Sequence, residues 1–510
     1  MKRLALLERL RATPRWDVLV VGGGATGLGC AVEAASRGYS TLLLEARDFA
    51  KGTSSRSTKL IHGGVRYLAQ GRIGLVREAL AERALLLANA PHLVHPQRFV
   101  VPVYRHLDRL TLGIGLSAYD WLAGQRSLGP SRLLSAGETL TLLPTVENHG
   151  LLGGIAYMDA RFDDARLAIS LMRTVIGLGG LALNYLPVEQ LLHDKGRVSG
   201  VSARDAESGE AFEIHAQVVI NAAGVWADQL RRLDDAGLAG RLRPSQGAHL
   251  VVDRDFLPGD SALLIPRTRD GRVLFMIPWK GKVLLGTTDT ARQDLPEEPR
   301  PFSEEVDFIL DTAGRYLPRA PARHDVRSAF AGLRPLIGGG ASNTASLSRE
   351  HVIEVSHQGL VTVAGGKWTT YRLMGEEIID RAAASGGLPP RAGRSRNLSL
   401  HGSTASPTED VHGCERAAID ALPGAQVCLH PGLDLSEAEV RHAVRHEQAR
   451  NIEDMLARRH RALFTDARAA LDCAAAVAAV MAEELGWTPP QTLEMQEAFR
   501  RVAEGFLVET

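Results

Sequence analysis

Three glycines near the start of the chain have the spacing of a dinucleotide-binding turn. Gly22, Gly24 and Gly27 form a G-x-G-x-x-G pattern that follows the apolar run 18–21 and opens a small-residue segment. The first glycine allows the tight bend, the second lets the backbone approach a pyrophosphate, and the third lets helix and strand pack closely. Glu45 stands about twenty residues later, where a carboxylate can accept hydrogen bonds from ribose hydroxyls. We predict a bound dinucleotide rather than a structural turn; the position at the start of the chain favours FAD over NAD, although the spacing does not separate them.

A segment rich in hydroxyl and basic side chains follows at residues 52–68 (GTSSRSTKLIHGGVRYL). A nicotinamide enzyme would normally continue with another βαβ element here. This composition instead suits a loop beside the pyrophosphate and ribityl chain of a longer cofactor, and it suits a solvated surface loop equally well. Composition alone leaves both interpretations open.

The chain is long enough to bury several cores. It has 510 residues, of which 45% are apolar, and ordinary domain sizes predict two or three domains. Lys plus Arg and Asp plus Glu are equal at 59 each. No global field therefore recruits nucleic acid, and an anionic ligand needs a local cluster of cations.

Cysteine usage and hydropathy limit the class of protein further. The cysteines are Cys30, Cys414, Cys428 and Cys473. They form no CxxC pair and lie far apart, which argues against a disulfide framework or a metal site and favours a reducing compartment. Charged residues at positions 8 and 9 interrupt the N-terminus before an apolar stretch reaches signal-peptide length. Because no later stretch holds about 18 uncharged apolar residues, we expect no transmembrane helix.

The remaining elements follow from their hydrophobic patterns. Residues 72–93 have the periodicity of a helix with one apolar face. The segment 218–228 (VVINAAGVWAD) predicts a buried strand and a small-residue turn that can pass beneath the adenine side of a dinucleotide. Between about 236 and 335, short β-rich runs alternate with Gly, Pro and Asp turns, as in an antiparallel sheet. The run 361–366 (VTVAGG) is again a strand followed by glycines, so the chain returns there to the cofactor domain.

These patterns predict an α/β fold in which a Rossmann-like FAD-binding domain is interleaved with an antiparallel-sheet substrate domain, followed by an α-helical C-terminal domain. A capping box at 436–439 predicts one of the C-terminal helices. The Gly-, Pro- and Ser-rich stretch 386–406 is typical of a linker. The predicted parts are the FAD-binding domain at 15–235 with a helical insertion at about 72–150, the substrate sheet at 236–335, the return to the FAD-binding domain at 336–385, the linker at 386–406, and the C-terminal helical domain at 407–510.

Several segments together resemble one family. They are GTSSRSTKLIHGGVRYL, YMDARFDDARL (157–167), VVINAAGVWAD, PSQGAHLVV (244–252), IPWKGKVLLGTTD (277–289), GLRPL (332–336) and VAGGKWTTYR (363–372). In this order, from about residue 15 to about residue 385, the chain resembles the FAD-dependent, aerobic respiratory glycerol-3-phosphate dehydrogenases. Residues 435–471 resemble the C-terminal helical domain of the same family. The resemblance implies an amino-acid-oxidase-like fold with FAD as cofactor.

The resemblance also assigns the hydroxyl-rich segment to the cofactor. Together with the glycine turn it implies the following FAD-binding residues: Gly22, Gly24, Gly27, Glu45, Thr53, Ser54, Ser55, Lys59, His62, Gly63, Gly64, Ala223, Gly224, Gly366, Lys367 and Thr369.

Oxidation of a secondary alcohol by a flavin requires that the C2 hydrogen face N5, that the hydroxyl lose a proton, and that the rest of the substrate be held. Guanidinium groups match phosphate oxygens bidentately, and an isolated arginine could equally be a surface residue paired with a carboxylate. Arg334 and Arg349 match the family's substrate-binding arginines. Arg66 and Tyr67 match positions that the family places at the mouth of the substrate site.

The catalytic groups that we expect are His62, His249, Lys367 and Arg334. Lys367 follows a strand and two glycines at a helix start, so its ammonium could face the flavin edge where reduction builds negative charge, or contact the substrate oxygen. Histidine titrates near the required pH, which makes His62 and His249 the candidate general bases. Some family members have a lysine three residues before the second histidine, where this chain has Gln246, so a lysine-assisted base is not expected.

The predicted function is FAD-dependent oxidation of sn-glycerol 3-phosphate to dihydroxyacetone phosphate, with hydride transfer from C2 to flavin N5 and electrons passed to a quinone. One arginine usually suffices for a carboxylate, so a pair of arginines favours a dianion. The alternatives are an alpha-glycerophosphate oxidase that uses oxygen, another amine or hydroxy-acid oxidase of the same superfamily, and a flavin-binding module without turnover. A homodimer is compatible with the sequence.

A quinone acceptor implies contact with a membrane, and the resemblance places the protein in the cytoplasm as a peripheral protein on the inner face of the cytoplasmic membrane. Residues 110–122 (LTLGIGLSAYDWL) could lie in the interface with aromatics at headgroup depth, or could form a core helix. Its aromatic and flanking basic residues are Tyr119, Trp121, Arg105, Arg109 and Arg126. The leucines at positions 4, 7 and 10 form a second candidate surface.

Overall fold

The computed structural model describes residues 3–64, 68, 71–269, 271–338 and 351–509. The strands are β1 (Trp16–Val21), β2 (Thr41–Leu44), β3 (Leu60–Ile61), β4 (Val94–Val103), β5 (Arg132–Leu134), β6 (Gly153–Phe162), β7 (Leu181–Leu183), β8 (Val188–Asp194), β9 (Arg197–Arg204), β10 (Ala211–Asn221), β11 (Leu242–Asp253), β12 (Ala262–Ile265), β13 (Leu274–Trp279), β14 (Lys282–Gly286), β15 (Thr290–Ala291), β16 (Val326–Ile337), β17 (Val352–Val355), β18 (Val361–Ala364), β19 (Cys428–His430) and β20 (Leu433–Ser436). The helices are α1 (Arg3–Ala12), α2 (Ala25–Ser36), α3 (Ile73–Asn89), α4 (His106–Ala123), α5 (Ala136–Leu142), α6 (Asp164–Gly177), α7 (Ala227–Asp234), α8 (Ser303–Gly314), α9 (Tyr371–Gly386), α10 (Arg416–Asp420), α11 (Glu437–His446), α12 (Ala462–Thr465), α13 (Ala467–Leu485) and α14 (Pro489–Ala503).

The first sheet is the Rossmann-like sheet that the glycine turn predicts. β1 pairs in parallel with β2 and β10, while β7 and β18 extend the sheet on either side. β17 pairs antiparallel at one edge, and the β8–β9 hairpin pairs with β10. Helices α2, α6 and α9 cover one face, and α1 with the β8–β9 hairpin covers the other. Burial on both faces explains why β1 is a nearly continuous apolar run.

Helix α1 belongs to this core. Leu7 and Leu10 are buried against the sheet, and Leu4 is exposed. The leucine stripe predicted as a second membrane surface is therefore mainly a packing face, which corrects that expectation.

The second sheet has the strand order β15-β11-β14-β13-β12-β4-β6-β3, with β16 added on β11 and β5 on β6. It is mostly antiparallel, as predicted, and one parallel pair, β12 with β4, makes it mixed. Strands β4 and β5 come from the region predicted as a helical insertion, at about 72–150. Pro96 and Pro102 lie inside β4 and weaken any strand prediction there, because proline cannot donate a ladder hydrogen bond.

The stretch 386–406 packs on the FAD-binding domain rather than forming a free linker. Leu388 and Leu400 are buried in the core of that domain. The amide of Asn89 in α3 donates to the carbonyls of Ser395 and Arg396 at 3.4 and 3.2 Å. The glycines and prolines of the stretch 386–406 bend the chain, and Leu388 and Leu400 are still buried.

The C-terminal helices share one core with the second sheet. Val251 of β11 and Phe330 of β16 belong to the same apolar cluster as Leu463, Val477 and Phe499 of the C-terminal domain. The predicted capping box starts α11, where the Ser436 and Glu439 backbone and side chains bond reciprocally. The C-terminal helices therefore pack against β11 and β16 and hold these strands rigidly.

A buried ion-pair network joins the C-terminal domain to the end of β2. Asp48 accepts hydrogen bonds from Arg458 and Arg459, and all three side chains are buried. The Arg459 bond to Asp48 Oδ1 is 2.9 Å long. Because buried charges are stable only when paired, this network fixes the position of the two domains.

Candidate active site

A cavity of about 940 Å³ lies between the two sheets. Its walls come from the turns that follow β1, β2, β10 and β18, from the loop at residues 52–64, which we call the hydroxyl loop, and from β11 and β16. The carboxyl ends of parallel strands meet at this edge, which is where open α/β sheets bind their ligands.

The glycine turn brings backbone close to the cavity. A Cβ atom on Gly22 would lie 2.5 Å from the carbonyl oxygen of Ala222, and one on Gly27 would lie 1.9 Å from the Gly22 oxygen. Gly22 also has φ of +115°, which L side chains rarely adopt. Gly22 and Gly24 line the cavity, and Gly27 seats α2 against the turn. The N-terminus of α2 therefore faces the cavity with the polarity that suits a pyrophosphate.

Glu45 lines the cavity at the end of β2. Its Oε2 accepts from the Gly23 N–H at 2.6 Å and its Oε1 from the Arg47 N–H at 2.8 Å. Burial raises the pKa of this carboxyl, and the two backbone bonds oppose that shift. The geometry leaves Glu45 oriented by the backbone and able to accept from ribose hydroxyls.

The hydroxyl loop contributes some of its predicted residues to the cavity and buries others. Thr53, Ser54 and His62 line the cavity. Ser54 Oγ accepts from the Ala25 N–H at 2.9 Å, which ties the loop to the start of α2. Ser55 is buried behind these residues.

Lys59 does not line the cavity, so the expectation that it contacts the cofactor is corrected. Its side chain has no exposed area, and its Nζ donates to Asp164 Oδ2 at 2.6 Å and to the carbonyls of Ser55 and Ser57 at 2.9 and 3.0 Å. Burial lowers the pKa of Lys59 to about 7. Lys59 supports the hydroxyl loop from behind the cavity wall.

Gly63 and Gly64 end the described part of the loop. Gly63 is buried, and its N–H donates to the Tyr119 hydroxyl at 2.8 Å. Gly64 has φ of +77°, a conformation that favours glycine. These glycines shape the loop next to His62 and are not part of the cavity lining.

The turns after β10 and β18 complete the predicted cofactor surface. Ala223 and Gly224 of the first turn and Gly366, Lys367 and Thr369 of the second all line the cavity. A Cβ atom on Gly366 would lie 2.1 Å from Met374 Cε, so a side chain there requires Met374 to move.

Trp368 joins two of these walls. Its indole N–H donates to the Ser54 carbonyl at 2.8 Å. Lys367 directly precedes Trp368, at the start of the 3₁₀ turn Trp368–Thr370, and it lines the cavity. The returning strand and the hydroxyl loop are thus held together around Lys367.

Arg334 enters the cavity from β16 and is held by neighbouring strands. Its Nη2 donates to Thr287 Oγ1 and to the Thr288 carbonyl, both at 3.0 Å. Its Nη1 lies 3.4 Å from Asp289 Oδ1. A Cβ atom on Gly247 would lie 2.2 Å from Arg334 Nη2, so the guanidinium occupies space that only glycine leaves open.

His249 lies on β11 and lines the same cavity. Its ring stacks on Phe330 with centroids 5.1 Å apart, and its Nε2 is 3.0 Å from Thr58 Oγ1. Burial, helped by the nearby charges of Lys59 and Arg334, holds the pKa of His249 well below its usual value. The imidazole is therefore neutral near neutral pH.

Gln246 faces away from the cavity. Its Nε2 donates to Glu305 Oε2 at 2.7 Å, and its Oε1 accepts from Arg292 Nη1 at 2.6 Å. Strand residues alternate between faces, so Gly247 and His249 point into the cavity and Gln246 points toward α8. A lysine at position 246 would lie on the α8 side of β11.

The structure thus brings together His62, His249, Arg334 and Lys367 around one cavity. Arg66, Tyr67 and Arg349 lie outside the described residues. Sequence reasoning missed Gly247, Thr58 and the groups that hold Arg334. The period-two pattern before His249 was the available signal for Gly247, because residues 247 and 249 share a strand face.

One group of metal-type ligands comes together among the described residues: His412, His442 and Glu447, with candidate atoms within 4.8 Å of one another. Arg166 donates to both carboxylate oxygens of Glu447 at 2.8 and 2.7 Å, and its Nη2 lies 3.4 Å from His412 Nδ1. A guanidinium already stands among these ligands. The group therefore serves as an ion pair between α6 and the C-terminal domain.

Comparison with known proteins decides the family. A family profile described as "FAD dependent oxidoreductase" matches residues 17–380, and one described as "C-terminal domain of alpha-glycerophosphate oxidase" matches residues 400–492. The mitochondrial glycerol-3-phosphate dehydrogenase of Mus musculus is 37% identical over 545 residues, covering 98% of this chain and 74% of that protein. The chain belongs to the family of FAD-dependent glycerol-3-phosphate dehydrogenases.

Further similarities extend over nearly the whole chain. The mitochondrial glycerol-3-phosphate dehydrogenase of Arabidopsis thaliana is 37% identical over 535 residues, covering 94% of this chain and 85% of that protein. The solved structure of the glycerol-3-phosphate dehydrogenase from Bacillus halodurans, complexed with FAD, superposes with a TM-score of 0.80 at 30% identity, covering 99% of this chain and 97% of that one.

FAD is the cofactor of this glycerol-3-phosphate dehydrogenase family, and the cavity fits it. The glycine turn supplies close backbone and a helix N-terminus for the pyrophosphate, and Glu45 supplies the acceptor for a ribose. The cavity continues from Glu45 past the hydroxyl loop to Lys367 and Arg334. The lining therefore supplies groups for a dinucleotide and, at Lys367 and Arg334, polar groups for a substrate.

Proposed function

We propose that this protein oxidises sn-glycerol 3-phosphate to dihydroxyacetone phosphate with bound FAD. The observation that carries the proposal is the convergence of Arg334 and His249 in the cavity that holds the dinucleotide turn. An arginine suits a phosphate, and a neutral imidazole suits the proton of an alcohol. The names of the relatives, which are glycerol-3-phosphate dehydrogenases, support the same substrate.

Arg334 binds the phosphate of the substrate in this proposal. The bonds to Thr287 and Thr288 hold its guanidinium in one orientation before substrate arrives. A group that is already oriented loses little conformational entropy on binding. Arg349, and Arg66 with Tyr67 at the mouth, are proposed to complete the substrate site.

His249 accepts the hydroxyl proton. Because its pKa is depressed, the ring is unprotonated and has a lone pair available before reaction. Thr58 beside Nε2 limits the ring to orientations that keep this contact. His62, which also lines the cavity, is the second candidate base.

Lys367 stabilises negative charge at the flavin edge. When bound, FAD supplies the acceptor of the hydride that leaves C2 of the substrate. A preorganised cation close to that acceptor favours the reduced state without reorganisation during the reaction. The position of Lys367 between the glycines and Trp368 supports this role.

Anaerobic mixing of the FAD-loaded protein with candidate substrates tests the function. Glycerol 3-phosphate should bleach the flavin band and yield dihydroxyacetone phosphate, while glycine and lactate should leave the band unchanged. Bleaching by glycine or lactate instead would support an amine or hydroxy-acid oxidase. A flavin that dithionite reduces and none of these compounds reduces would support a binding module.

For the electron acceptor we propose a quinone reached at an anionic lipid bilayer, with α4 as the docking surface. Trp121 is 77% exposed and Leu107 is 71% exposed. Leu116 and Tyr119 on the opposite side of α4 are buried. The prediction that both aromatic side chains reach the membrane surface is therefore wrong for Tyr119. Arg105 stands at the start of the helix and is exposed.

The basic and apolar groups on one helix suit an interfacial position, in which apolar side chains enter the bilayer and arginines contact lipid phosphates. Among the described helices, none combines the length and apolarity needed to cross a membrane. Contact through one face of α4 is therefore the mode of attachment that we propose.

Co-sedimentation with anionic liposomes tests this surface. Trp121→Ser and Arg105→Glu should each reduce binding, and Leu493→Ser is a matched control because Leu493 is exposed on a different helix. A parent protein that stays in the supernatant and reduces oxygen as fast as a short-chain quinone would support an oxidase instead.

A further inference from the structure

A chain of hydrogen bonds connects α4 to the hydroxyl loop. The Gly63 N–H donates to the Tyr119 hydroxyl at 2.8 Å, and that hydroxyl donates to Asp159 Oδ2 at 2.9 Å. Arg83 of α3 donates to the other oxygen, Asp159 Oδ1, at 2.7 Å. Three elements and the loop therefore meet at one polar group.

The whole chain of bonds is buried. Tyr119 and Arg83 are each 1% exposed, and Asp159 is 2% exposed. Arg83 also donates through Nη2 to the Arg126 carbonyl at 3.0 Å. Burial of a charged pair is stable only when its hydrogen bonds are made, so each member has a defined position.

The fit around the Tyr119 hydroxyl is tight. A Cβ atom on Gly63 would lie 2.5 Å from the hydroxyl oxygen and 2.9 Å from Leu80 side-chain atoms. The tyrosine ring packs edge-on against Tyr157, with centroids 6.4 Å apart. The Tyr119 side chain is thus held in place by the packing of its ring on Tyr157 and by the hydrogen-bond partners of its hydroxyl.

This contact extends a short strand pairing toward the cavity. Leu60 and Ile61 of β3 pair with Arg161 and Ala160 of β6. Asp159 is the next residue of β6, and through Tyr119 it reaches Gly63, two residues beyond Ile61. The residue between Ile61 and Gly63 is His62, which lines the cavity.

We propose that Tyr119 is a positioning residue for the hydroxyl loop. By accepting from the Gly63 N–H it sets where His62 stands against the flavin. Asp159 and Arg83 act through Tyr119 by orienting its hydroxyl. The role concerns the loop and the cofactor, and it holds whichever substrate the enzyme takes.

Tyr119→Phe removes the acceptor and tests the role in the FAD-loaded protein. Amide hydrogen exchange in peptides that cover residues 60–64 should become faster, and the visible circular dichroism of the flavin should change. With glycerol 3-phosphate, the limiting rate of flavin reduction should fall about tenfold, because small misplacements of reacting groups cost rate. The KM should change by less than roughly twofold, since the phosphate site is elsewhere.

Tyr104→Phe is the matched control. The Tyr104 hydroxyl donates to the Glu147 carbonyl at 2.6 Å. The control therefore also removes a tyrosine hydroxyl and one hydrogen bond to the backbone, at a site away from the hydroxyl loop. If both variants give the same exchange and the same flavin spectrum, the proposal is overturned. The exchange and the spectrum need no substrate, so failure of the proposed function does not affect them.

Replacement of Tyr119 by 4-aminophenylalanine covers the case in which phenylalanine prevents folding. An aromatic amine still donates to Asp159 but is a poor acceptor for the Gly63 N–H. Faster exchange at residues 60–64 with unchanged exchange at α4 supports the proposal. Unchanged exchange at both places contradicts it.

Discussion

Gly247→Ala should displace Arg334 without removing it. The added Cβ would stand 2.2 Å from Nη2 and 2.6 Å from Cζ of Arg334, and 2.7 Å from Thr287 Oγ1. β11 and β16 pair over many residues on both sides of this position, so the backbones cannot separate there. The guanidinium must therefore move and lose its bonds to Thr287 and the Thr288 carbonyl.

The expected cost follows from the interaction that Arg334 would make with a phosphate. A hydrogen bond to a charged group contributes about 1.5–3 kcal/mol. At about 1.4 kcal/mol per factor of ten, its loss should raise the KM for glycerol 3-phosphate by about 10- to 150-fold. Glycerol has no phosphate, so its much weaker turnover should change by less than about threefold.

Steady-state assays with an artificial electron acceptor measure both substrates. Arg334→Ala should give the same pattern with a larger effect. Gly137→Ala is a matched control, because a Cβ atom on Gly137 meets nothing within 4 Å. Equal losses for glycerol 3-phosphate and glycerol in Gly247→Ala would refute the assignment of Arg334 to the phosphate.

Three further predictions concern catalysis and stability. Lys367→Ala should lower the limiting rate of flavin reduction at saturating substrate, while Lys367→Arg should retain most of it, because the charge acts on the developing flavin charge; an unchanged rate by stopped flow would exclude the role. Asp48→Asn should lower the free energy of unfolding by about 3–5 kcal/mol in urea titrations, because the buried charge of Arg459 loses its carboxylate partner, while Arg458 keeps Glu453 and Asp454; a loss below about 1 kcal/mol would contradict this. Burial lowers the pKa of His92 from 6.5 to about 4, so the unfolded chain binds this proton first and stability falls as pH drops through 6.5 toward 4. Between pH 7.5 and pH 5 this group should account for about 2 kcal/mol, and His92→Gln should reduce the pH dependence by that amount; an unchanged pH dependence would count against the assignment.

Local patterns account for what the sequence predicted well. The glycine turn and Glu45 belong to one βαβ unit, so their spacing alone specifies their geometry. The capping box at Ser436 is equally local, and the structure confirms it.

Long-range packing accounts for what the sequence could not predict. Lys59 and Asp164 are 105 residues apart, so nothing near Lys59 shows that its charge is buried in an ion pair. The prolines of β4 conceal a strand whose partner, β6, also lies far along the chain, with Val94 opposite Phe162 and Val103 opposite Gly153. The domain bounds inferred from composition therefore remain a prediction, and β4 to β6 lie in the second sheet.

The sequence-based predictions were also limited because they did not consider which side of its strand or helix each side chain occupies. Period-two alternation places Gly247 and His249 in the cavity and Gln246 outside it, which makes the absence of a lysine at 246 less relevant to the base. On α4, Tyr119 and Trp121 are two residues apart and therefore point in different directions on a helix. One became a buried contact of the hydroxyl loop and the other an exposed group.

The most direct test of the central claim is single-turnover flavin reduction by glycerol 3-phosphate deuterated at C2. The FAD-loaded protein is mixed anaerobically with protiated substrate, with substrate deuterated at C2, and with substrate deuterated at C1. We predict that all three bleach the flavin with one equivalent of dihydroxyacetone phosphate formed, and that only deuterium at C2 slows the reduction. A flavin that dithionite reduces but glycerol 3-phosphate does not, or bleaching without dihydroxyacetone phosphate, would contradict the account.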